Sequence, residues 1–387
     1  MRLAVPVAAL VAVPLMVGCT SSTTDSNTSA GAGGPITVTS ADDSCTLSAD
    51  TASAGNLTFN VANNGSEVTE FYLYSADGKR IVGEVENIGP GLQGKLIVTA
   101  DEGTYQTSCR PGMAGEGIRS DFTVTRPADG AQAPSEDALL ISKAQNGYRA
   151  WVQQQADQLV TRTRQFVTAY QRGDDDRART LYPRARFPWE AIETVAESFG
   201  DLDPKTDARE ADLTEGQKWT GWHRIEKDLW PQRAKDYTPL TIEQRQFYGA
   251  DLLANVTTVR DRIRGITFTT DQIANGSSGL MEEVATGKVT GEEEYWSHTD
   301  LWDFAANVKG SEVAFELVKP LLDKRDAALA ETLTKRFAEI DRLLARQKVG
   351  GGYRLYTDLS QAEVKRLADA VNALSEPLSH LTAAVLP

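Results

Sequence analysis

Residues 135–173 read SEDALLISKAQNGYRAWVQQQADQLVTRTRQFVTAYQRG, and the spacing of their apolar side chains decides the fold of most of the chain. Apolar residues recur every three to four positions from Leu140 through Val152 to Tyr170. A repeat of this length places them on one face of a helix, and Gly173 suits a helix C-terminus. The sequence therefore predicts a long amphipathic helix.

The same spacing returns farther along the chain. It covers the ranges 243–265, 314–347 and 360–375. The last range is opened by Ser360 with Glu363 three positions later, the pair of a capping box at a helix N-terminus. No strand-rich stretch of comparable quality follows Arg126. The sequence therefore predicts an all-α helical bundle over residues 138–387.

Upstream of the bundle, apolar residues alternate with polar ones, as in half-buried strands. The alternating groups are Ile36/Val38, Leu57/Phe59/Val61, Phe71/Leu73, Leu96/Val98 and Phe122/Val124. Asp77-Gly78 fits a two-residue type I′ hairpin turn. Short strands at this spacing predict a β-sandwich over residues 36–126. Residues 127–137 contain two prolines and are predicted to be the linker.

The first residues have the composition of an export signal. Arg2 precedes an apolar run, residues 3–17, that is too short to span a membrane. Cys19 follows in a setting that resembles a bacterial lipobox, so we expect residues 1–18 to be a lipoprotein signal peptide and Cys19 to carry the lipid. The alternative is a plain signal peptide that leaves Cys19 free. Residues 19–35 are rich in Ser, Thr and Gly and are predicted to be a flexible tether.

Charge narrows the class of partner. The chain has 54 acidic and 40 basic residues and a net charge of -14. This acidity argues against nucleic-acid binding, which depends on Lys and Arg neutralising phosphates, and suits a cationic partner. Together, the export signal and the predicted acylation of Cys19 lead us to expect an exported lipoprotein. It would be attached to the cell membrane through its anchor and would face the periplasm or the cell exterior.

Two cysteines remain if Cys19 is acylated, namely Cys45 and Cys109. A cysteine pair in an exported protein forms a disulfide by default. We expect that bond, with free thiolates as the alternative.

Candidate metal ligands follow the first long helix. Glu190, Glu193 and Glu197 are spaced i, i+3 and i+7, so on one helix they share a face. His223 and Glu226 are spaced i, i+3, which lets an imidazole and a carboxylate converge on one ion. The alternative is an exposed histidine beside a solvated acidic face. Neighbouring tryptophans favour a buried histidine; they are Trp219, Trp222 and Trp230.

Three stretches carry a specific family resemblance. They are 187–204, which begins Phe-Pro-Trp-Glu, 221–226, which reads Gly-Trp-His-Arg-Ile-Glu, and 291–304, which contains Tyr-Trp-Ser-His-Thr-Asp-Leu-Trp-Asp-Phe. Together they resemble the imelysin-like (M75) domain over residues 138–387. Residues 63–71, 87–91 and 103–109 resemble the cupredoxin-like domain that precedes it in longer members. The chain thus resembles a multidomain protein, a cupredoxin-like β-sandwich followed by an imelysin-like helical bundle.

The resemblance implies a function in iron uptake. It implies an extracytoplasmic, membrane-tethered component that captures iron, as Fe²⁺ or Fe³⁺, and delivers it to a permease. The implied partners are the iron permease and the haem peroxidase of the same system. Copper, zinc and manganese are competing ions that the ligand types do not exclude. The implied metal ligands are His223, Glu226, Glu190, Glu193, Asp207 and Glu283.

The cupredoxin-like domain lacks the ligands of an electron-transfer copper site. That site needs two histidines, and all three histidines of the chain lie beyond residue 200. A second metal site is predicted only as the alternative to the disulfide. Its ligands would be Cys45, Glu70 and Cys109, with Glu67 or Asp101 in addition.

Two other functions stay open, an M75-type metallopeptidase and an acidic-polysaccharide-binding module. A zinc peptidase of the His-Glu-x-x-His type needs a second histidine, which residues 226–230 do not supply. We therefore expect a binding protein and no enzyme. His298 is predicted to have a helix-packing role, and His380 to lie at the surface.

Overall fold

The computed structural model describes residues 34–126, 136–213 and 216–386. The predicted signal peptide, Cys19, nearly all of the tether and most of the linker lie outside these residues. The described residues form a β-sandwich followed by a helical bundle, so the predicted fold class is confirmed. No helix among the described residues is both long enough and apolar enough to cross a membrane.

Within residues 34–126, nine strands form two sheets. The strands are β1 (Ile36–Ala41), β2 (Ser44–Leu47), β3 (Thr51–Ser53), β4 (Gly55–Asn63), β5 (Thr69–Ser75), β6 (Ile81–Ile88), β7 (Gln93–Ala100), β8 (Gly103–Cys109) and β9 (Ile118–Thr125). One sheet has the order β2-β1-β4-β7 and the other β3-β9-β8-β5-β6. The β1–β4 and β3–β9 pairs are parallel.

The alternating apolar residues fill the space between the sheets. Phe59 of one sheet packs against Phe71 and Phe122 of the other, with ring centroids 5.2 and 5.5 Å apart. Cys45 on β2 and Cys109 at the end of β8 form a disulfide across the two sheets. The sandwich is therefore held by an aromatic core and one covalent link.

The disulfide removes the thiolates that a metal site at Cys45 and Cys109 would need. Glu70, the third predicted ligand there, lies 3.3 Å from the guanidinium of Arg110 and accepts a hydrogen bond of 2.8 Å from Tyr72. The other two candidates, Glu67 and Asp101, are exposed. The structure thus contradicts the predicted second metal site, because its sulfurs are bonded to each other and Glu70 has protein partners.

The turn between β5 and β6 differs from the predicted two-residue hairpin. The strands end at Ser75 and resume at Ile81, so the connection has five residues. A type I′ turn needs positive φ at both central residues, and of this pair only Gly78 has it, at 68°. The Asp77 carboxylate instead accepts a hydrogen bond from the Ser75 hydroxyl at 2.7 Å, which favours a wider loop.

The residues described after position 135 form eleven helices and a two-stranded ribbon. The helices are α1 (Glu136–Gln171), α2 (Asp175–Ala191), α3 (Glu193–Glu197), α4 (Asp203–Thr206), α5 (Trp222–Leu229), α6 (Ile242–Ile263), α7 (Thr270–Thr286), α8 (Asp300–Arg325), α9 (Ala327–Ala345), α10 (Gln361–Leu378) and α11 (Leu381–Val385). The ribbon pairs β10 (Lys348–Val349) with β11 (Gly352–Tyr353). Ser360 and Glu363 form the predicted capping box of α10.

Two predicted helices are divided in the structure. The range 314–347 breaks at Asp326, whose side chain caps α9 by accepting from the amide of Leu329 at 2.9 Å. The acidic stretch breaks at Ile192, whose φ of -122° ends α2. Glu190 therefore lies on α2, whereas the glutamates that follow it start and end α3. The prediction that one helical face carries all three is wrong.

The two domains touch through strands β6 and β7. Gln272 on α7 donates a hydrogen bond to the backbone oxygen of Val82, and Asn275 donates to that of Ile97, at 3.1 and 2.9 Å. Asp271 accepts from the backbone amide of Thr99 at 2.8 Å. One turn of α7 thus places the edge of the sandwich against the bundle.

Candidate metal centre

The predicted pair, His223 and Glu226, lies on α5 and points into the bundle. His223 is 1% exposed and Glu226 is fully buried. Their spacing brings Nδ1 of the imidazole to 3.3 Å from Oε2 of the carboxylate. The other oxygen of Glu226 accepts hydrogen bonds from the backbone amides of Trp296 and Ser297, at 2.9 and 2.6 Å. Glu226 therefore holds both the imidazole and the loop between α7 and α8.

Gly221 sets the start of α5. Its φ of 87° lies in the left-handed region that favours glycine. A Cβ at this position would lie 2.1 Å from the backbone oxygen of Thr206. Because the chain passes this close to the end of α4, His223 comes next to Asp207.

The second ring nitrogen of His223 faces two further carboxylates. Nε2 lies 3.2 Å from Oε1 of Glu293 and 3.4 Å from Oδ1 of Asp207. Two ligand atoms bonded to one metal at about 2.1 Å are about 3.0–3.4 Å apart in octahedral or tetrahedral geometry. His223, Asp207 and Glu293 thus have the spacing of ligands to a single ion.

Arg186 on α2 is fully buried among these carboxylates. Its guanidinium contacts five of them, which are Asp207, Glu190, Glu293, Glu294 and Asp303. The contact from Nε to Glu294 is 2.7 Å long. A guanidinium carries five N–H donors in a fixed plane, so one side chain can serve several acceptors.

Lys288 supplies a second internal cation. It is 1% exposed and lies just after α7. Its Nζ donates to both oxygens of Glu193, at 2.7 and 2.6 Å, and lies 3.1 Å from Oε2 of Glu190. Asn307 on α8 also donates to Glu193, at 2.7 Å. Glu190 and Glu193 therefore meet between α2, α3 and α8 around one ammonium group.

These groups form one assembly, here named the central cluster. It comprises Glu190, Glu193, Asp207, His223, Glu226, Glu293, Glu294 and Asp303, with Arg186 and Lys288 between them. Seven carboxylates thus face two permanent cations. Oδ2 of Asp303 and Oδ1 of Asn307 have no hydrogen-bond partner among the described residues. A bound cation would balance the excess charge and offer partners to unpaired oxygens, whose burial costs free energy.

The central cluster shifts the pKa of its histidine upward. Burial lowers the pKa of His223, and so does the charge of Arg186, but hydrogen bonds to Asp207, Glu226 and Glu293 outweigh both. The pKa of His223 therefore lies well above its ordinary value. The raised pKa favours the protonated imidazole when no metal is bound, and in that form His223 would act as a third cation of the cluster.

The carboxylates divide into two classes. Burial raises the pKa of Asp207, but the charges of Arg186 and His223 oppose this, and the result is a pKa of about 2. Burial and neighbouring carboxylates keep the pKa of Glu193, Glu294 and Asp303 well above the ordinary range. Some carboxylates of the central cluster are thus poised to hold protons that a metal ion can replace.

The structure brings most of the predicted ligands together. His223 and Glu226 share one group of potential ligands, and Asp207 links it to Glu190 and Glu193. Glu283 on α7 instead groups with Glu193 and Glu197, with ligand atoms within 4.8 Å of one another. It therefore belongs to a neighbouring set of carboxylates rather than to the histidine.

Sequence reasoning missed five members of the central cluster. They are Arg186, Lys288, Glu293, Glu294 and Asp303. The i, i+4 spacing of Arg186 and Glu190 was a readable signal, and Glu293 and Glu294 lie in a stretch that carries the family resemblance. Lys288 lies in a short turn and offers no periodicity to read.

The two other histidines lie outside the central cluster. His298 has a φ of 60° and lies in the loop before α8. The helix-packing role predicted for it does not fit this position. His380, at the start of α11, has a side chain that is 68% exposed.

Comparison with known sequences places this arrangement in a family. The imelysin (M75 peptidase) profile matches residues 144–381, which include every member of the central cluster. The chain belongs to the imelysin family. A cupredoxin-like domain profile matches residues 8–124, in front of the imelysin domain. The resemblance inferred from the sequence motifs is therefore confirmed.

Several relatives, which share one name among themselves, align along most of the chain. The iron uptake system component EfeO of Escherichia coli (strain K12) is 35% identical over 349 residues, which cover 89% of this chain and 90% of the relative. The EfeO proteins of Escherichia coli O157:H7 and Shigella flexneri align over the same shares at 35% identity. The alignment thus extends over both domains.

Proposed function

We propose that this chain is the iron-binding component of a bacterial iron uptake system, which captures iron at the central cluster and delivers it to a permease. The observation that carries the proposal is the convergence of His223 Nε2, Asp207 Oδ1 and Glu293 Oε1 within 3.4 Å of the imidazole nitrogen. Mixed imidazole and carboxylate ligands suit iron, zinc and manganese. The name of the relatives, iron uptake system component EfeO, favours iron among these ions.

The buried charges suggest how iron is held and released. Arg186 and Lys288 neutralise part of the cluster without metal, so the empty site stays folded. An incoming ion competes with these cations and with the proton on His223. Binding therefore releases protons, and a lower local pH favours release to the next carrier.

Iron titration of the purified chain tests the proposal. The variants His223→Ala and Glu226→Ala should each weaken iron binding by about tenfold or more, since even changes around the ligands cost about 10–100-fold. His380→Ala is the matched control, because that imidazole is exposed, and its affinity should equal that of the unchanged chain. Unchanged iron affinity in the double variant His223→Ala/Glu226→Ala would reject this site.

Delivery needs its own measurement. Cells that lack their own iron-binding component but keep the permease and the haem peroxidase should regain iron uptake with this chain. The His223→Ala variant should fail to restore uptake while reaching the same level in the cell envelope. Equal uptake with both chains would argue against delivery through the central cluster.

The family designation as a peptidase is the competing function. A metal-dependent peptidase of the His-Glu-x-x-His type binds zinc through two imidazoles, and His223 is the one imidazole in the potential ligand groups of the described residues. We therefore propose binding without proteolysis. Cleavage of casein by the zinc-loaded chain, lost in His223→Ala, would reverse this assignment.

Export and anchoring complete the proposed function. The chain would be tethered to the cell membrane through acylated Cys19, with acyl chains supplying the membrane affinity. The variant Cys19→Ala should still be exported but should appear in the soluble fraction. Retention of the variant in the membrane fraction would contradict the lipid anchor.

A further inference from the structure

The two nitrogens of the His223 imidazole face different surroundings. Nδ1 lies 3.3 Å from Oε2 of Glu226, whereas Nε2 lies 3.2 Å from Oε1 of Glu293 and 3.4 Å from Oδ1 of Asp207. The two nitrogens point away from the ring in different directions, so one metal ion can bond to only one of them. Two groups of potential ligands therefore compete for the ion, one on each side of the ring.

On the Nδ1 side, the carboxylates of Glu226 and Glu294 already have donors from the protein, and both side chains are fully buried. Oε1 of Glu226 accepts hydrogen bonds from the backbone amides of Trp296 and Ser297, at 2.9 and 2.6 Å. Oε1 of Glu294 lies 2.7 Å from Nε of Arg186, and its Oε2 accepts from the Ser297 hydroxyl at 2.8 Å. An ion on this side would have to compete with these donors, two of which belong to the backbone.

The Nε2 side lies closer to solvent. The side chains of Asp207 and Glu293 are each 10% exposed. The guanidinium of Arg209 lies 3.6 Å from Oε2 of Glu293, and its side chain is 37% exposed. Arg186 contacts both carboxylates. On this side an ion therefore competes with side chains rather than with backbone amides.

The Glu226 carboxylate is fixed by groups other than the imidazole. The two amides that hold its Oε1 belong to the loop between α7 and α8, while its own backbone belongs to α5. The direction of Oε2 is thus set by these two elements. An imidazole that donates Nδ1–H to such an oxygen presents Nε2 as the nitrogen free to bind a metal. Carboxylates commonly orient metal-binding histidines in this way.

We propose that Glu226 is a positioning residue and not a metal ligand. It accepts the Nδ1–H bond of His223, so that Nε2 binds the ion together with Asp207 and Glu293. This inference rests on the proposed function, because it assigns roles within the central cluster. The i, i+3 spacing of His223 and Glu226 then orients one ligand rather than supplying two.

Nuclear magnetic resonance of the ¹⁵N-histidine-labelled chain tests the assignment, with Zn²⁺ as a diamagnetic probe. The chain has three histidines, and the variant His223→Ala identifies the signals of this ring. Added Zn²⁺ should shift the Nε2 signal and leave Nδ1 bonded to a proton. Zn²⁺ bonded to Nδ1 would overturn the inference while upholding His223 as a ligand. A ring that does not respond to bound Zn²⁺ would overturn both the inference and the proposed site.

Variants loaded with Co²⁺ separate a positioning residue from a ligand, because the visible absorption of Co²⁺ depends on its ligands. Glu226→Gln keeps an oxygen for Nδ1–H and should bind Co²⁺ about tenfold or more weakly, with the absorption bands of the saturated chain unchanged. Asp207→Ala and Glu293→Ala should change the bands. The control Glu316→Gln alters an exposed glutamate on α8 and should change neither property.

Two results with the Co²⁺-loaded variants would overturn the role of Glu226. One is a change of the absorption bands in Glu226→Gln as large as that in Asp207→Ala, which would make Glu226 a ligand. The other is an unchanged Co²⁺ affinity in Glu226→Gln, which would leave it without a positioning role. Circular dichroism in the presence of chelator checks that each variant is folded, and the ¹⁵N measurement on the unchanged chain does not depend on any variant of Glu226.

Discussion

The central cluster and the carboxylates at the domain junction, Glu84, Glu86, Glu197 and Glu283, are both acidic, but they differ in burial and in how negative charge is balanced. In the central cluster, Arg186 contacts five carboxylates, and Lys288 contacts two more oxygens of Glu193. At the domain junction, no described basic side chain forms an ion pair with Glu84 or Glu197, and burial raises the pKa of both carboxyls. The difference shows two ways to hold carboxyl groups together, by internal cations in the central cluster and by raised pKa values at the junction.

Internal cations also change what binding costs. A metal that enters the central cluster must displace hydrogen bonds from a guanidinium, an ammonium or an imidazolium. The free energy of metal binding to the central cluster would therefore include the loss of these hydrogen bonds, which carboxylates without a paired cation do not have to give up.

Removal of Arg186 should have the largest effect on the comparison. The variant Arg186→Met leaves a buried group of carboxylates without its main cation, and breaking a buried ion pair costs about 3–5 kcal/mol. Urea unfolding in the presence of chelator should show this loss of stability, and saturating iron should restore part of it. The control Arg177→Met, at an exposed position of α2, should unfold like the unchanged chain. A loss no greater than the control's would mean that Arg186 does not balance the cluster.

The next largest expected effect is the pH dependence of stability that the charge balance of the central cluster produces. Folding raises the pKa of His223, so its contribution to stability is present below about pH 6.5 and is lost as pH rises through the folded pKa. Folding also raises the pKa of Glu193 and Glu294, which makes the folded chain bind more protons than the unfolded chain. Both effects have the same sign, so the metal-free chain should become less stable from pH 6 to pH 8.

Chemical unfolding of the metal-free chain at several pH values measures this trend. The His223→Gln variant should show a shallower fall in the free energy of unfolding between pH 6 and pH 8. At the acidic end the order reverses, because the pKa of Asp207 is about 2 in the folded chain. Its contribution is present above about pH 4 and is lost as pH falls through 2. Stability that rises steadily up to pH 8 would contradict the raised pKa values.

The smallest expected effect is a difference in the sign of the stability change between two glutamate variants. Glu190→Gln removes a charge that pairs with Arg186 and Lys288, so it should lower the stability of the metal-free chain. Glu197→Gln replaces a carboxyl group that has no paired cation and that burial makes costly to ionise in the folded chain, so it should raise stability, by about 1 kcal/mol or less. Thermal unfolding of both variants in the presence of chelator measures the two stability changes. Equal signs would show that the central cluster and the domain junction do not differ in charge balance.

Much of the fold could be predicted because it depends on local periodicity. The alternation in β4 and the three-to-four repeat of α1 each fix an element within a few residues. The break at Ile192 could not be predicted, since the apolar and acidic periods continue across it. There the tertiary packing of α2 and α3 overrides the local pattern, and Glu190 and Glu193 still meet across the break at Lys288.

The candidate site was predictable only where its ligands are close in sequence. His223 and Glu226 share one helix, so their spacing reveals them. Glu293 meets His223 from 70 positions away, on a loop without a helical or strand period. The two cations, Arg186 and Lys288, were harder still to predict. A basic residue repels a metal ion, so the sequence alone gives no reason to place it among the ligands. Sequence periodicity thus predicts the helices that carry the site better than it predicts the balance of charges within the site.

The depth of His223 has a consequence for the speed of loading. With the imidazole 1% exposed and Glu226 fully buried, an ion cannot reach Nε2 by diffusion alone while the bundle keeps this conformation. If iron binds at His223 as proposed, its entry and exit require the bundle around the imidazole to rearrange, and motions of this kind take microseconds to seconds. The rate of loading would then depend on the packing around His223 as well as on the ligands themselves.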